Sequence, residues 1–169
     1  DYQTKNVRTA LQTLGLLQDK GYVVADTHIK KGLLNVQKNT GLRGRWEVLS
    51  ENPKIICDTA HNMEGLSLVL NQLQKSAYGS LHIVLGMVRD KSVVRLINLF
   101  PTDATYYFCK PDISRGLEVE KLAQFFISKG YKGQMYSSVN EAFSAAKQCA
   151  MLEDLIFVGG STFVVSEVL

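Results

Sequence analysis

Lys54-Ile-Ile-Cys57-Asp58-Thr-Ala-His61-Asn62-Met-Glu-Gly65 passes from an apolar run through a polar turn into a helical pattern. Residues 54–57 follow Pro53 and read as a short buried strand. Asp58 ends that run, and Asn62 stands where a helix N-cap belongs. Beyond it, Leu66, Leu68, Val69, Leu70 and Leu73 form an apolar stripe at helical spacing. In open α/β sheets ligands bind beyond the carboxyl ends of the parallel strands, which is where this turn falls. A carboxylate, an imidazole and a helix N-terminus meet there, a set suited to a sugar hydroxyl, a phosphate and an amine. Taken alone, the same residues read by default as a helix cap and a solvated histidine.

The pattern repeats outward from this turn. Residues 46–49, 82–85, 105–109, 133–136 and 155–158 read as strands. Residues 62–74, 93–99, 119–128 and 139–150 read as helices, and a last helix follows Gly159-Gly160-Ser161-Thr162. Strands alternating with helices predict an α/β, Rossmann-like fold, a mostly parallel sheet with helices on both faces. Upstream, residues 6–17 carry helical spacing, and Asp26 reads as the cap of a second helix with Ile29, Leu33 and Leu34. Two helices without a strand do not make a core. They read as the end of a neighbouring domain, and the polar, glycine-containing residues 36–44 as a linker. The expected division is therefore 1–40 and 41–169.

A chain of 169 residues suits one α/β domain with an appendage. Hydrophobic residues at 46% and charged residues at 21% are ordinary for a globular protein. A net charge of +3, with no basic cluster larger than Lys30-Lys31, gives no nucleic-acid signature. Cys57, Cys109 and Cys149 lie far apart without metal-ligand spacing, so we expect no metal site in this chain. Cys57 and Cys109 fall in strands and read as buried thiols of a cytoplasmic protein. No apolar run is long enough to span a membrane.

Four loops that follow strands carry polar residues: 58–62, 86–91, 110–115 and 159–162. In a parallel sheet they open on one edge. Gly159-Gly160-Ser161, leaving a strand and entering a helix, offers backbone N–H groups to an anion and equally serves as a tight turn. Asp90-Lys91 reads as a helix-start ion pair, and Arg115 as an anion ligand or a solvated side chain. The sequence lacks GxxxxGK[ST], GxGxxG, GxSxG and HExxH.

Gly44-Arg45-Trp46-Glu47, Asp58-Thr-Ala-His61-Asn62, Gly86-x-x-x-Asp90-Lys91 and Gly159-Gly160-Ser161 together resemble the C-terminal domain of folylpolyglutamate synthase/dihydrofolate synthase, in the Mur ligase superfamily. The arginine stands thirteen positions before the aspartate, as in that family's GR…DxAHN pattern. Tyr2-Gln3-x-x-Asn6-x-x-x-Ala10-Leu11 resembles the last helix of its central ATPase domain, to which residues 1–40 would belong. The resemblance implies ATP-dependent amide-bond formation: a folate or dihydropteroate carboxylate is phosphorylated by Mg2+-ATP, and the amine of L-glutamate attacks the acyl phosphate. By the same resemblance, Asn6 would contact adenine, and Arg45 and Asp58 the phosphate and ribose. His61 and Ser161 would line the incoming glutamate and the reacting phosphate. The P-loop and the magnesium ligands would lie in the chain's own N-terminal ATPase domain, and these 169 residues alone would be inactive. A cell-wall Mur ligase is the nearest alternative. A Rossmann-type nucleotide-binding or interaction module without catalysis is the other.

Overall fold

The structure, a computed structural model, describes residues 3–89 and 93–169. Asp90 and Lys91, read above as a helix-start pair, lie outside the described residues, as does Tyr2. The chain divides into two units, Asp1–Arg43 and Gly44–Leu169.

The first unit is helical: α1 (Thr4–Asp19), α2 (Asp26–Leu34) and α3 (Val36–Thr40). None of the described residues of these helices is buried. Their apolar spacing is real, but too few side chains are present to enclose one another. Two details differ from the sequence reading. Ala25 takes the N-cap position and Asp26 is the first helical residue, placing its carboxylate in the first turn where the helix dipole favours it. The expected linker opens with α3, which stops at Gly41 in the left-handed conformation (φ 67°) that glycine adopts without strain.

The second unit is a six-stranded sheet in the order β1-β2-β6-β3-β4-β5. Its strands are β1 (Glu47–Glu51), β2 (Lys54–Asp58), β3 (Leu81–Leu85), β4 (Thr105–Phe108), β5 (Lys132–Met135) and β6 (Leu155–Gly159). All neighbours pair in parallel except β1, which folds back antiparallel on β2 as an edge. The helices are α4 (Met63–Gln74), α5 (Val93–Leu96, continued by a 3-10 turn), α6 (Val119–Ile127), α7 (Val139–Cys149) and α8 (Thr162–Ser166).

Alternation along the strands sends side chains to two cores. Ile55, Cys57, Val84, Tyr107, Cys109, Ile156 and Val158 pack with Val139, Ala142 and Ala146 of α7 and Val164 and Val165 of α8. On strand β4 the intervening positions, Tyr106 and Phe108, belong to an aromatic cluster. There the ring of Phe126 on α6 lies 5.1–5.4 Å from those of Phe100, Tyr106, Phe108 and Tyr131. Because β2, β3, β4, β5 and β6 share one direction, their carboxyl ends form a single edge. The turns after β2, β6, β3 and β4 stand side by side on it.

Candidate functional site

The edge is built around Asp58, the last residue of β2. It is 1% exposed, and its two carboxylate oxygens accept backbone N–H groups from Trp46 at 2.7 Å and Ala60 at 2.8 Å. The first bond ties down the segment that enters β1, and the second shapes the turn that leaves β2. Gly44 closes the same loop. Its N–H donates to Glu47 Oε2 at 2.7 Å and its carbonyl accepts from Thr59 N at 2.9 Å. Gly44 has φ 72°, and a Cβ there would meet Thr59 and Val165 methyls at 2.9 Å. Trp46 holds φ 48°, a left-handed conformation that costs a bulky residue energy unless its surroundings enforce it. Arg45 sits between these two residues and is exposed. A guanidinium so presented matches a phosphate through paired N–H donors.

After Asp58 the chain turns through His61, which is exposed. Its Nδ1 lies 3.0 Å from the Thr59 carbonyl, which can only accept, so Nδ1 carries a hydrogen and, in the neutral ring, Nε2 is an acceptor. Asn62 caps α4, its Oδ1 accepting from Gly65 N at 2.8 Å. On the adjacent strand, Gly159 is in register with both Asp58 and Leu85, which places the Gly159–Ser161 turn between the β2 and β3 ends. Gly160 has φ 92°, and a Cβ on it would come within 2.7 Å of Leu85 and of the Gly86 carbonyl. Ser161 is 3% exposed, and its Oγ accepts from Phe163 N at 3.2 Å as the cap of α8.

Of the residues singled out in the sequence, the sheet thus gathers Arg45, Asp58, His61 and Ser161 on one edge. Asn6 lies in the other unit, on α1, where its Nδ2 donates to Gln3 Oε1 at 2.6 Å. Arg115 stacks its guanidinium 4.9 Å from the Phe163 ring centroid, just past Ser161. Sequence reasoning missed a second cationic group on the edge. Arg89 and Lys110 both hold Glu118, at 2.6 and 3.2 Å, and Arg89 Nε donates to the Gly116 carbonyl. The Lys110 ammonium, then the Arg89 guanidinium, keep the Glu118 carboxyl below the usual carboxylate range. These partners are up to 29 residues apart, and no local spacing announces them. Glu47 and the left-handed Trp46 were missed for a similar reason, since their roles exist only once β1 has folded back on β2.

Comparison with known proteins decides the lineage. The Mur ligase, glutamate ligase domain family matches residues 44–162, which contain the whole edge. This chain belongs to that family. The chain is also similar to curated proteins, of which two are described. One is a probable bifunctional folylpolyglutamate synthase/dihydropteroate synthase of Haloferax volcanii, 33% identical over 77% of this chain and 16% of that protein. The other is the dihydrofolate synthase/folylpolyglutamate synthase of Escherichia coli, 27% identical over 95% of this chain and 36% of that protein. Among solved structures, a bifunctional folylpolyglutamate synthase/dihydrofolate synthase with Mn, AMPPNP and L-glutamate bound superposes with a TM-score of 0.77. It is 28% identical over 92% of this chain and 36% of that one. The chain therefore spans about a third or less of the length of the relatives it matches. The α/β architecture read from the sequence is that of these ligases.

Proposed function

We propose that this glutamate ligase domain is the C-terminal part of an ATP-dependent folylpolyglutamate synthase/dihydrofolate synthase, adding L-glutamate to a folate or dihydropteroate carboxylate. The observation that carries the reading is the Asp58–Asn62 turn, locked to the Arg45 loop and set beside the Gly159–Ser161 turn on one sheet edge. The family match and the AMPPNP and L-glutamate named for a solved neighbour support it. Residues 1–40 are the end of the central ATPase domain, and the protein works in the cytoplasm. No described helix is long and apolar enough to cross a membrane.

The nucleotide fits what the edge offers. Arg45 meets its phosphates, Asp58 secures the ribose side of the site, and Asn6 is assigned to the adenine. In the reaction a carboxylate oxygen attacks the γ-phosphorus of ATP and ADP leaves; the glutamate amine then attacks the acyl carbon and inorganic phosphate leaves. His61 Nε2, left as an acceptor by the Thr59 contact, takes the proton of the attacking amine. Ser161 lines the reacting phosphate at the head of α8. Mg2+ accompanies the ATP. We place its ligands in the central domain, and no step here runs through it.

The test is an assay of the full-length protein with Mg2+-ATP, L-glutamate and either dihydropteroate or a reduced folate. One ADP and one phosphate released per glutamate added is the expected stoichiometry. ATP turnover without glutamate incorporation on either substrate overturns the proposal.

A further inference from the structure

We propose that the helical unit carries a binding site for a small multivalent anion, in a cleft between α2 and α3. His28, Lys31 and Gly32 of α2 line it, with Asn35 at the junction and Lys38 and Asn39 of α3, around a volume of about 300 Å3. Ligand pockets run from roughly 300 to 1,000 Å3, so this one suits a small ligand. Helical spacing builds it. His28 and Lys31 stand three apart on α2, and Asn35, Lys38 and Asn39 three and four apart along α3, so each set faces one way. A Cβ on Gly32 would meet nothing within 4 Å, so the cleft opens onto helix backbone. Asn35 is both the C-cap of α2 and the N-cap of α3, and its Nδ2 donates to the Lys31 carbonyl at 2.8 Å, which ties the corner between the two helices.

Charge makes an anion the complementary ligand. Residues 27–46 hold Lys30, Lys31, Lys38, Arg43 and Arg45 but no Asp or Glu, while the whole chain nets only +3. Among the described residues no carboxylate pairs with His28, Lys31 or Lys38. Two lysines around one cleft repel each other, and an anion between them turns that repulsion into attraction. The ammonium groups and the Asn39 amide suit phosphate and carboxylate oxygens alike. The phosphate chain of a nucleotide and the linked carboxylates of an oligo-γ-glutamate share that chemistry. The second source rests on the proposed ligase function; the site itself does not.

Isothermal titration calorimetry of the full-length protein tests the site with two probes, inorganic triphosphate and γ-linked triglutamate. The protein is first saturated with Mg2+-AMPPNP, so that a nucleotide site elsewhere is already filled. At least one probe should bind, and the double variant Lys31→Ala, Lys38→Ala should bind it about tenfold more weakly. Gly32→Leu fills the cleft without changing charge and suits a helix, and it should weaken binding by a similar factor. Unchanged affinity for Mg2+-AMPPNP shows that each variant is folded, and should one fail to fold the other decides. Binding of triphosphate alone supports a phosphate ligand, of triglutamate alone a carboxylate ligand, and of both a general anion site. If neither probe binds, or a folded variant binds as tightly as the parent, the proposal is overturned. Absence of glutamate ligation by the parent protein overturns the proposed function and leaves this site standing, because the calorimetry does not depend on turnover.

Discussion

Asp154, at the opposite end of the sheet from Asp58, shows what a buried carboxylate does when it serves the fold alone. It is 6% exposed and accepts from Ser80 N at 2.7 Å, Met151 N at 2.8 Å and His82 Nε2 at 3.3 Å. The Met151 N–H bond leads in lowering its pKa, against desolvation. A depressed folded-state pKa means stability that is present above the unfolded value, about 4, and is lost as pH falls through the folded value. Asp154→Asn should therefore cost about 1–3 kcal/mol in urea denaturation at neutral pH. The gap between the two proteins should close as the pH falls below that range. A pH-independent difference would show that shape, not charge, is what position 154 supplies. His82 completes the arrangement, with Nδ1 3.0 Å from the Tyr107 hydroxyl, so β3 and β4 are joined by side chains as well as by the ladder.

Elements were legible wherever local pattern and burial agree. The run 54–57 became β2 and the leucine stripe after Asn62 became α4, with Leu66, Val69, Leu70 and Leu73 buried. Asn62→Ala should cost about 1 kcal/mol in thermal or chemical unfolding, the usual loss of an N-cap. Phe126→Ala, which empties the centre of the aromatic cluster, should cost about 3–5 kcal/mol; a loss near that of Asn62→Ala would mean the surrounding rings collapse into the gap. Three elements were read less well, each for a physical reason. The 3-10 turn Ile97–Leu99 interrupts an apolar pattern that continues smoothly in sequence. α3 is too short to show periodicity. The antiparallel pairing of β1 depends on a turn at Asn52-Pro53, while its strand pattern gives no direction. At the site, the Asp58, His61 and Ser161 turns were visible because strand ends and caps have local signatures. The Arg89–Glu118–Lys110 group had none, because it joins two loops that only the parallel sheet brings together.

On the scale of the whole molecule, the proposed function would give this chain one part of an edge-bound site, and its sequence holds no P-loop motif. The 169 residues alone should show no ATP-dependent glutamate ligation, whereas the full-length protein should. Turnover by the isolated chain in a radiolabelled glutamate assay would mean that phosphoryl transfer is assembled from residues of this domain. Under the proposed function, domain closure would bring a second set of phosphate ligands to Arg45, and positioning would be a large part of the catalysis. Hydrogen-exchange mass spectrometry of the full-length ligase with and without Mg2+-AMPPNP tests that arrangement most directly. Protection on nucleotide binding should appear in peptides covering residues 44–62 and 159–163, where the Arg45 loop and the two turns lie. Protection confined to other parts of the protein, with these peptides unchanged, would contradict the assignment of the nucleotide to this edge.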